Sequence, residues 1–408
     1  MLLPPLQLLC GKWYGVRSVI NDIYWLWLQE VLGVGAMFKE LIDEFGGIRQ
    51  IYEANLIELK MSPNLTPKQI NRICEIKLND LEHILYDCSN NNWKIITYED
   101  ENYPQRLKEI ANPPAVLFVD GELPAIDDAV AIGMVGTRKA SHYALKVAYL
   151  MSKAFSDAGA LVVSGGAIGV DTASHQGALL SGANTVCVLG CGLGTDYLRE
   201  NKNLRQNIAR HGALITEYPP FSPAGKTTFP LRNRIISGIS LGVVVIEASL
   251  KSGSLITAKY ALEQGRDVFA VPGSVISPEF AGTNRLLADG AMLAAEPEHV
   301  LACYSSRFNI NLSKAKSFAE LMLKNNSEKI EFDKIDNSRD EMLEKASNTK
   351  MLEGDVKDAY NALNYDFQNI DIIVQKSGLA GADAFAALTQ LEILGLAVSS
   401  SGNRYKLS

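Results

Sequence analysis

The sequence is poor in the residues that metal chemistry, secretion and membrane insertion require. It has five histidines and six cysteines in 408 residues. The cysteines, Cys10, Cys74, Cys88, Cys187, Cys191 and Cys303, form no C-x-x-C pair. Neither a metal set nor a disulfide framework is expected, and reduced thiols fit a cytoplasmic protein. Trp25 to Val34 is too short and too polar to cross a bilayer. Leu2 to Cys10 is apolar, but it lacks a basic start, contains Pro4 and Pro5, and places the large Leu9 before Cys10. A signal peptide or lipoprotein signal is therefore not expected. Excess positive charge is absent too: Lys and Arg number 39 against 46 Asp and Glu, for a net charge of -7. Contact with nucleic acid would need a local basic patch. There is no G-x-G-x-x-G and no G-x-x-x-x-G-K-[ST] loop, so no dinucleotide cofactor and no ATP hydrolysis is indicated.

What is present is an ordinary globular composition, 47% hydrophobic and 21% charged, long enough for two to three domains. Residues 1–20 have no assignable role. Residues 21–90 read as helices. Ile23, Trp25, Leu26, Leu28, Val31 and Leu32 share an apolar face, and Gly33-Val34-Gly35 breaks it before a second helix from Met37 to Phe45. That is the plan of a helix-hairpin-helix (SAM-like) unit, and its acidic flank favours packing over phosphate binding. Residues 91–304 alternate short apolar runs with helical stretches. The runs are Trp93–Tyr98, Ala115–Val119, Val130–Val135, Ala160–Val163, Thr185–Leu189, Ala213–Thr216, Leu241–Ile246 and Val268–Val271. From Val130 onward this pattern predicts an α/β domain with a Rossmann-like, doubly wound parallel sheet covered on both faces. Residues 305–355 are polar and read as a linker. In residues 356–408, helices from Ile370 to Ser377 and Ala382 to Leu394 precede two strands around Ser401-Gly402-Asn403, a winged-helix plan. The second helix carries Asp383, Thr389 and Glu392 but no Lys or Arg, which favours protein contact over groove reading.

Three strand ends carry anion-binding equipment. The first is Gly136-Thr137-Arg138-Lys139-Ala140-Ser141, where Gly136 admits close backbone approach, Arg138 and Lys139 supply charge, and Ser141 caps the next helix. The second is Ser164-Gly165-Gly166-Ala167-Ile168-Gly169, whose amides are suited to cradle a phosphate at a helix start. The third is Ser252-Gly253-Ser254. Beside them runs Lys226 to Arg234, with Lys226, Arg232 and Arg234 as cations and Asn233 between the arginines. Together they point to a polyanion groove on one sheet edge, with Gly136, Arg138, Lys139, Ser141, Gly165, Gly166, Gly169, Lys226, Arg232, Asn233, Arg234, Ser252, Gly253 and Ser254 as its candidates. Asp171, His175, Glu217 and Glu247 are the polar groups around it. Asp171 and His175, four apart on a helix, read as a structural hydrogen bond rather than an acid–base pair. No nucleophile elbow or metal-ligand cluster accompanies them, so binding without turnover is expected.

These stretches, with Arg232-Asn233-Arg234-Ile235-Ile236-Ser237-Gly238, Glu247-Ala248-Ser249 and Val271-Pro272-Gly273, resemble the DNA-processing protein A (DprA/Smf) family. The resemblance covers most of Asn21 to Cys303 and implies an extended Rossmann fold with a basic pocket. It also implies a cytosolic single-stranded-DNA-binding homodimer that loads the RecA recombinase during natural transformation. Arg138, Lys226 and the Arg232-Asn233-Arg234 run are the DNA contacts it implies. Ala144 and Gly194-Thr195-Asp196 depart from the family pattern, and neither removes a cation. The competing reading is a nucleotide-processing Rossmann enzyme of the phosphoribohydrolase type. That class needs Pro-Gly-Gly-x-Gly-Thr where this chain has Ser252-Gly253-Ser254-Leu255-Ile256-Thr257.

Overall fold

The computed structural model describes residues 16–325, 352, 354–364, 368–393, 396–400 and 404–407, the side chains of 16–21, 323–325, 393 and 407 excepted. The chain divides into two compact units, 1–326 and 327–408. The turn at Ser401-Gly402-Asn403, the helix end at Leu394-Gly395 and most of the polar stretch after Asn325 lie outside the described residues.

The first unit opens with helices α1 (Val16–Leu32), α2 (Lys39–Phe45), α3 (Ile48–Glu53), α4 (Leu56–Met61), α5 (Pro67–Glu75) and α6 (Glu82–Asn91). Their starts follow local chemistry: Asn55 and Thr66 form capping boxes with Glu58 and Gln69, satisfying amides the helix leaves open. Trp25, Trp27, Phe38 and Leu41 are buried in the helical core. That core continues onto one face of the sheet through Val116 and Phe118.

The sheet has nine strands: β1 (Lys94–Thr97), β2 (Val116–Gly121), β3 (Ala131–Val135), β4 (Leu161–Ser164), β5 (Thr185–Val188), β6 (Ala213–Thr216), β7 (Gly242–Val245), β8 (Asp267–Ala270) and β9 (Met292–Leu293). Their order is β1-β2-β6-β5-β4-β3-β7-β8-β9. From β6 to β9 every pairing is parallel. β1 and β2 extend that sheet antiparallel, β2 lying against β6. β2 runs on through Asp120-Gly121, where the sequence pattern ends it. The helices after the strands are α7 (Gln105–Lys108), α8 (His142–Asp157), α9 (Val170–Leu180), α10 (Lys202–Arg210), α11 (Thr228–Ile239), α12 (Ser254–Glu263), α13 (Ala281–Ala288), α14 (Pro297–Leu301) and α15 (Phe318–Asn325). β3 feeds β4 on one side, and β7 feeds β8 on the other. The chain therefore winds outward from the β3–β7 pair in both directions. Such a reversal opens a crevice at the carboxyl ends of the strands.

One buried ion pair ties the helical hairpin to this sheet. Arg234 on α11 and Glu217, just past β6, are 0% and 2% exposed. Arg234 Nη2 donates to both Glu217 carboxylate oxygens, at 2.8 and 2.6 Å. The Gly35 amide donates to Glu217 Oε1 at 3.0 Å, and Gln29 Nε2 to the Glu217 carbonyl at 2.8 Å. Gly35 holds a positive φ of 77°, and a Cβ there would meet Leu231 at 2.8 Å. The hairpin's second glycine thus spends its amide on the protein's own carboxylate.

The second unit contains α16 (Gly354–Ala362), α17 (Ile370–Ser377) and α18 (Gly381–Ile393) with strands β10 (Gln368–Asn369), β11 (Ala397–Ser400) and β12 (Arg404–Leu407) in the order β10-β12-β11. Among the described residues no helix is long and apolar enough to cross a membrane.

Removing one partner of a buried ion pair strands the other charge, at about 3–5 kcal/mol. Arg234→Met is expected to lower unfolding free energy in urea by that amount. The Gly35 amide should then exchange faster with deuterium. The Glu217→Gln/Arg234→Met double variant should lose less than Arg234→Met alone.

Candidate functional site

A cavity of about 750 Å³ opens at the carboxyl ends of β3, β4 and β7, at the reversal of the winding. Gly136, Thr137 and Arg138 reach it from the end of β3, and Ala167 and Asp171 from β4 and α9. Lys226, Phe229, Arg232 and Asn233 come from α11 and the loop before it, and Ser252, Gly253 and Ser254 from the start of α12. These are most of the candidates that the sequence singled out, brought to one sheet edge.

The cations differ in kind. Arg138 and Lys226 are exposed, and the Arg138 guanidinium lies over the Phe229 ring with Cζ 4.9 Å from its centroid. Arg232 also lines the cavity, but it is buried. Its Nη1 donates to the carbonyls of Gly165, at 2.7 Å, and Val188, and its Nε to Asn233 Oδ1 at 3.2 Å. Burial pulls the Arg232 guanidinium below its ordinary range, against the pull of Asp171. Burial likewise pushes the Asp171 carboxyl up, opposed first by Arg232 and then by the Ala167 amide.

Arg234 does not converge with the other cations. Residues two apart on a helix face nearly opposite ways; with Arg232 turned to the cavity, Arg234 points into the core and onto Glu217. The glycine turn after β4 also differs from its expected role as an amide cradle. A Cβ on Gly165 would overlap the Arg232 guanidinium. Gly166 has a φ of 67°, a Cβ there would lie 2.6 Å from Cys187 Sγ, and its carbonyl accepts from Asn201. A Cβ on Gly169 would collide with the Thr137 and Arg138 carbonyls. None of the three lines the cavity. They let the strand-end loops approach each other and leave room for Arg232.

Ser141 is likewise internal. It caps α8 and gives both its amide and its hydroxyl to Glu247. Burial pushes that carboxyl up, with Ser141 opposing. Lys139 is exposed beside Arg138 and lies outside the cavity lining. Asp171 and His175 do not bond to each other. Asp171 accepts from the Ala167 amide at 3.3 Å, and His175 Nδ1 lies 2.9 Å from the Thr185 hydroxyl. That hydroxyl donates to the Val162 carbonyl, so Nδ1 carries the proton it accepts. Burial, then the Arg232 charge, lowers the His175 pKa to about 3, which keeps it neutral in the core.

The sequence reading did not single out the aromatic wall. Tyr197 and Phe229 both line the cavity, their ring centroids 5.1 Å apart at 39°. A Phe immediately before a Pro-Leu-Arg run gives no local sign of which way it faces. The arrangement is a concavity with an aromatic surface beside its exposed cations. That combination suits a polymer carrying phosphates and flat bases.

The family model for DNA recombination-mediator protein A matches residues 94–305, half of the chain. The chain belongs to this family. It is 32% identical over 405 residues to Protein Smf of Synechocystis, covering 95% of this chain and 98% of that one. It is 43% identical over 196 residues to the DNA processing protein DprA of Bacillus subtilis, covering 48% of this chain and 66% of that one. The X-ray structure of DNA processing protein A from Streptococcus pneumoniae superposes with a TM-score of 0.61 at 32% identity. That match covers 69% of this chain and 97% of that one. The family match spans β1 to α14 and so contains the whole cavity.

The different burial of the cations predicts different costs. Arg138→Ala is expected to change stability by no more than about 0.5 kcal/mol, as for most exposed substitutions. Arg232→Ala leaves two carbonyls and Asp171 without their donor or counter-charge and should cost about 3 kcal/mol or more. Urea unfolding of the two variants checks the contrast.

Proposed function

We propose that the chain binds single-stranded DNA in this cavity, independently of base sequence and without catalytic turnover. Arg138 and Lys226 take phosphates, and Ser252, Gly253 and Ser254 add hydroxyls and open backbone at the start of α12. Lys139 extends the basic path outward. Tyr197 and Phe229 receive a base by stacking. The observation that carries this reading is two exposed cations and an aromatic pair in one cavity, in a chain whose net charge is -7. The charge is focused where the sheet opens. Lining carboxyl Asp171 is beside the buried Arg232, while Arg138 and Lys226 face solvent.

The finer reading is that the protein delivers the strand to the RecA recombinase as a cytoplasmic homodimer, in transformation or recombination. The DNA-processing names of its relatives and the recombination-mediator family support it. We read the second unit as a winged helix that contacts protein. Its helices precede the β11–β12 pair, and α18 carries Asp383, Thr389 and Glu392 without a cation.

Gel shifts should show tighter binding to single- than to double-stranded oligonucleotides. Arg138→Ala and Lys226→Ala should each weaken single-strand binding by about 1–3 kcal/mol, typical of bonds to a charged group, and weaken all sequences alike. The slope of log affinity against log salt should fall by roughly 0.7 for each phosphate contact removed. Unchanged affinity in both variants would place the DNA elsewhere. Release of free base from nucleoside monophosphates would favour the enzyme reading.

A further inference from the structure

A second cavity, of about 450 Å³, lies at the antiparallel edge of the sheet and shares no lining residue with the first. Its walls come from α1, from β1 and the turn after it, and from β2 and its connection to β3. Among the described residues it is lined by six carboxylates, Asp22, Asp100, Glu101, Glu122, Asp127 and Asp128, and by one cation, Lys94. Lys94 is paired with Glu122.

The fold accounts for some of these groups. Asp127 accepts from the Gln105 and Arg106 amides at 2.7 and 3.0 Å, at the start of α7. Asp100 Oδ2 accepts from the amide and hydroxyl of Thr97. Asp22 has no such role. It is 7% exposed, and among the described residues no donor is bonded to its carboxyl. The charged group acting on it is Asp100, of like sign; burial and that repulsion push the Asp22 pKa to about 7. A buried carboxylate without donor or counter-ion is unfavourable. Among the described residues no cation neutralises it, Lys94 being paired with Glu122.

We propose that this cavity binds a primary alkylammonium group, its head against Asp22 and Asp100 and its methylene chain along Val119, Leu123 and Pro124. An ammonium offers three rotatable donors and tolerates acceptors spread around a cavity. A bare metal ion needs a tighter set of oxygens, and no three acidic, His or Cys groups among the described residues are placed to hold one. The apolar wall suits methylenes, and the cavity falls in the usual size range of small-molecule sites, roughly 300–1,000 Å³. The same ammonium chemistry is carried by a free diamine and by a lysine side chain of another protein.

Isothermal titration of the full-length protein with putrescine, and separately with Nα-acetyl-lysine methylamide, tests this at low ionic strength. Saturable binding of putrescine is expected at pH 8. It should be about tenfold weaker at pH 6, because a carboxyl with a pKa near 7 is then about nine-tenths protonated. The charged groups that line the cavity with Asp22 are Lys94, Asp100, Glu101, Glu122, Asp127 and Asp128. Asp22→Asn should abolish binding with the circular dichroism unchanged. Asp128→Asn, at an exposed position, should weaken it several-fold. Glu263→Gln, on α12 and outside the cavity, should bind as the native protein does. Tighter binding of the lysine derivative would identify a protein lysine as the source, and tighter binding of putrescine a free diamine. No saturable heat, wild-type binding in both Asp22→Asn and Asp128→Asn, or equally tight binding of Mg²⁺ alone would overturn the proposal.

Discussion

The ion pair between Arg234 and Glu217 is the constraint on which the rest of the first unit depends. It sits where three pieces of chain meet: α11, the end of β6 and the Gly33–Gly35 hairpin. With Arg234 fixed in the core, the helical step turns Arg232 to the opposite face, toward the cavity. Phe229, three residues before Arg232 on the same helix, faces the cavity with it. A buried charge pair of this kind is weak evidence for net stability but fixes orientation strongly. It also explains why the hairpin glycines, which resemble a phosphate-binding turn, serve packing.

The cavity is layered by burial. Arg232 and Asp171 form its floor, each shifted by loss of water and each partly compensated by the other. Above them, Arg138 and Lys226 are exposed, and the Phe229 ring lies against the Arg138 guanidinium. Charge at the floor holds the strand-end loops in place, and charge at the rim is left for a ligand. Gly165 belongs to the floor, because any side chain there would displace the Arg232 guanidinium.

Much of this was legible in the sequence. Ala213–Thr216 is the predicted strand residue for residue, and the other parallel runs fall within one or two residues of β3, β4, β5, β7 and β8. Continuous apolar runs between helical stretches admit few alternatives. β9, two residues long, is too short to leave a pattern. The antiparallel placement of β2 beside β6 was also hidden, because strand order depends on contacts between distant segments. In the site, residue types announced Arg138, Lys226 and Ser252 to Ser254, whereas direction decided the rest. Arg232-Asn233-Arg234 reads as a cluster along the chain and becomes two opposed faces once it is helical. Ser141, Gly166 and Gly169 look like phosphate ligands because capping and close packing use the same residue types.

The account rests on a strand of DNA lying along the rim cations Arg138 and Lys226 with a base against the aromatic wall. Photocrosslinking of the full-length protein to 5-iodouracil-substituted single-stranded DNA, with the crosslinked peptide identified by mass spectrometry, tests this directly. The account predicts crosslinks at Tyr197 or Phe229. Crosslinks confined to residues 354–407 would contradict it.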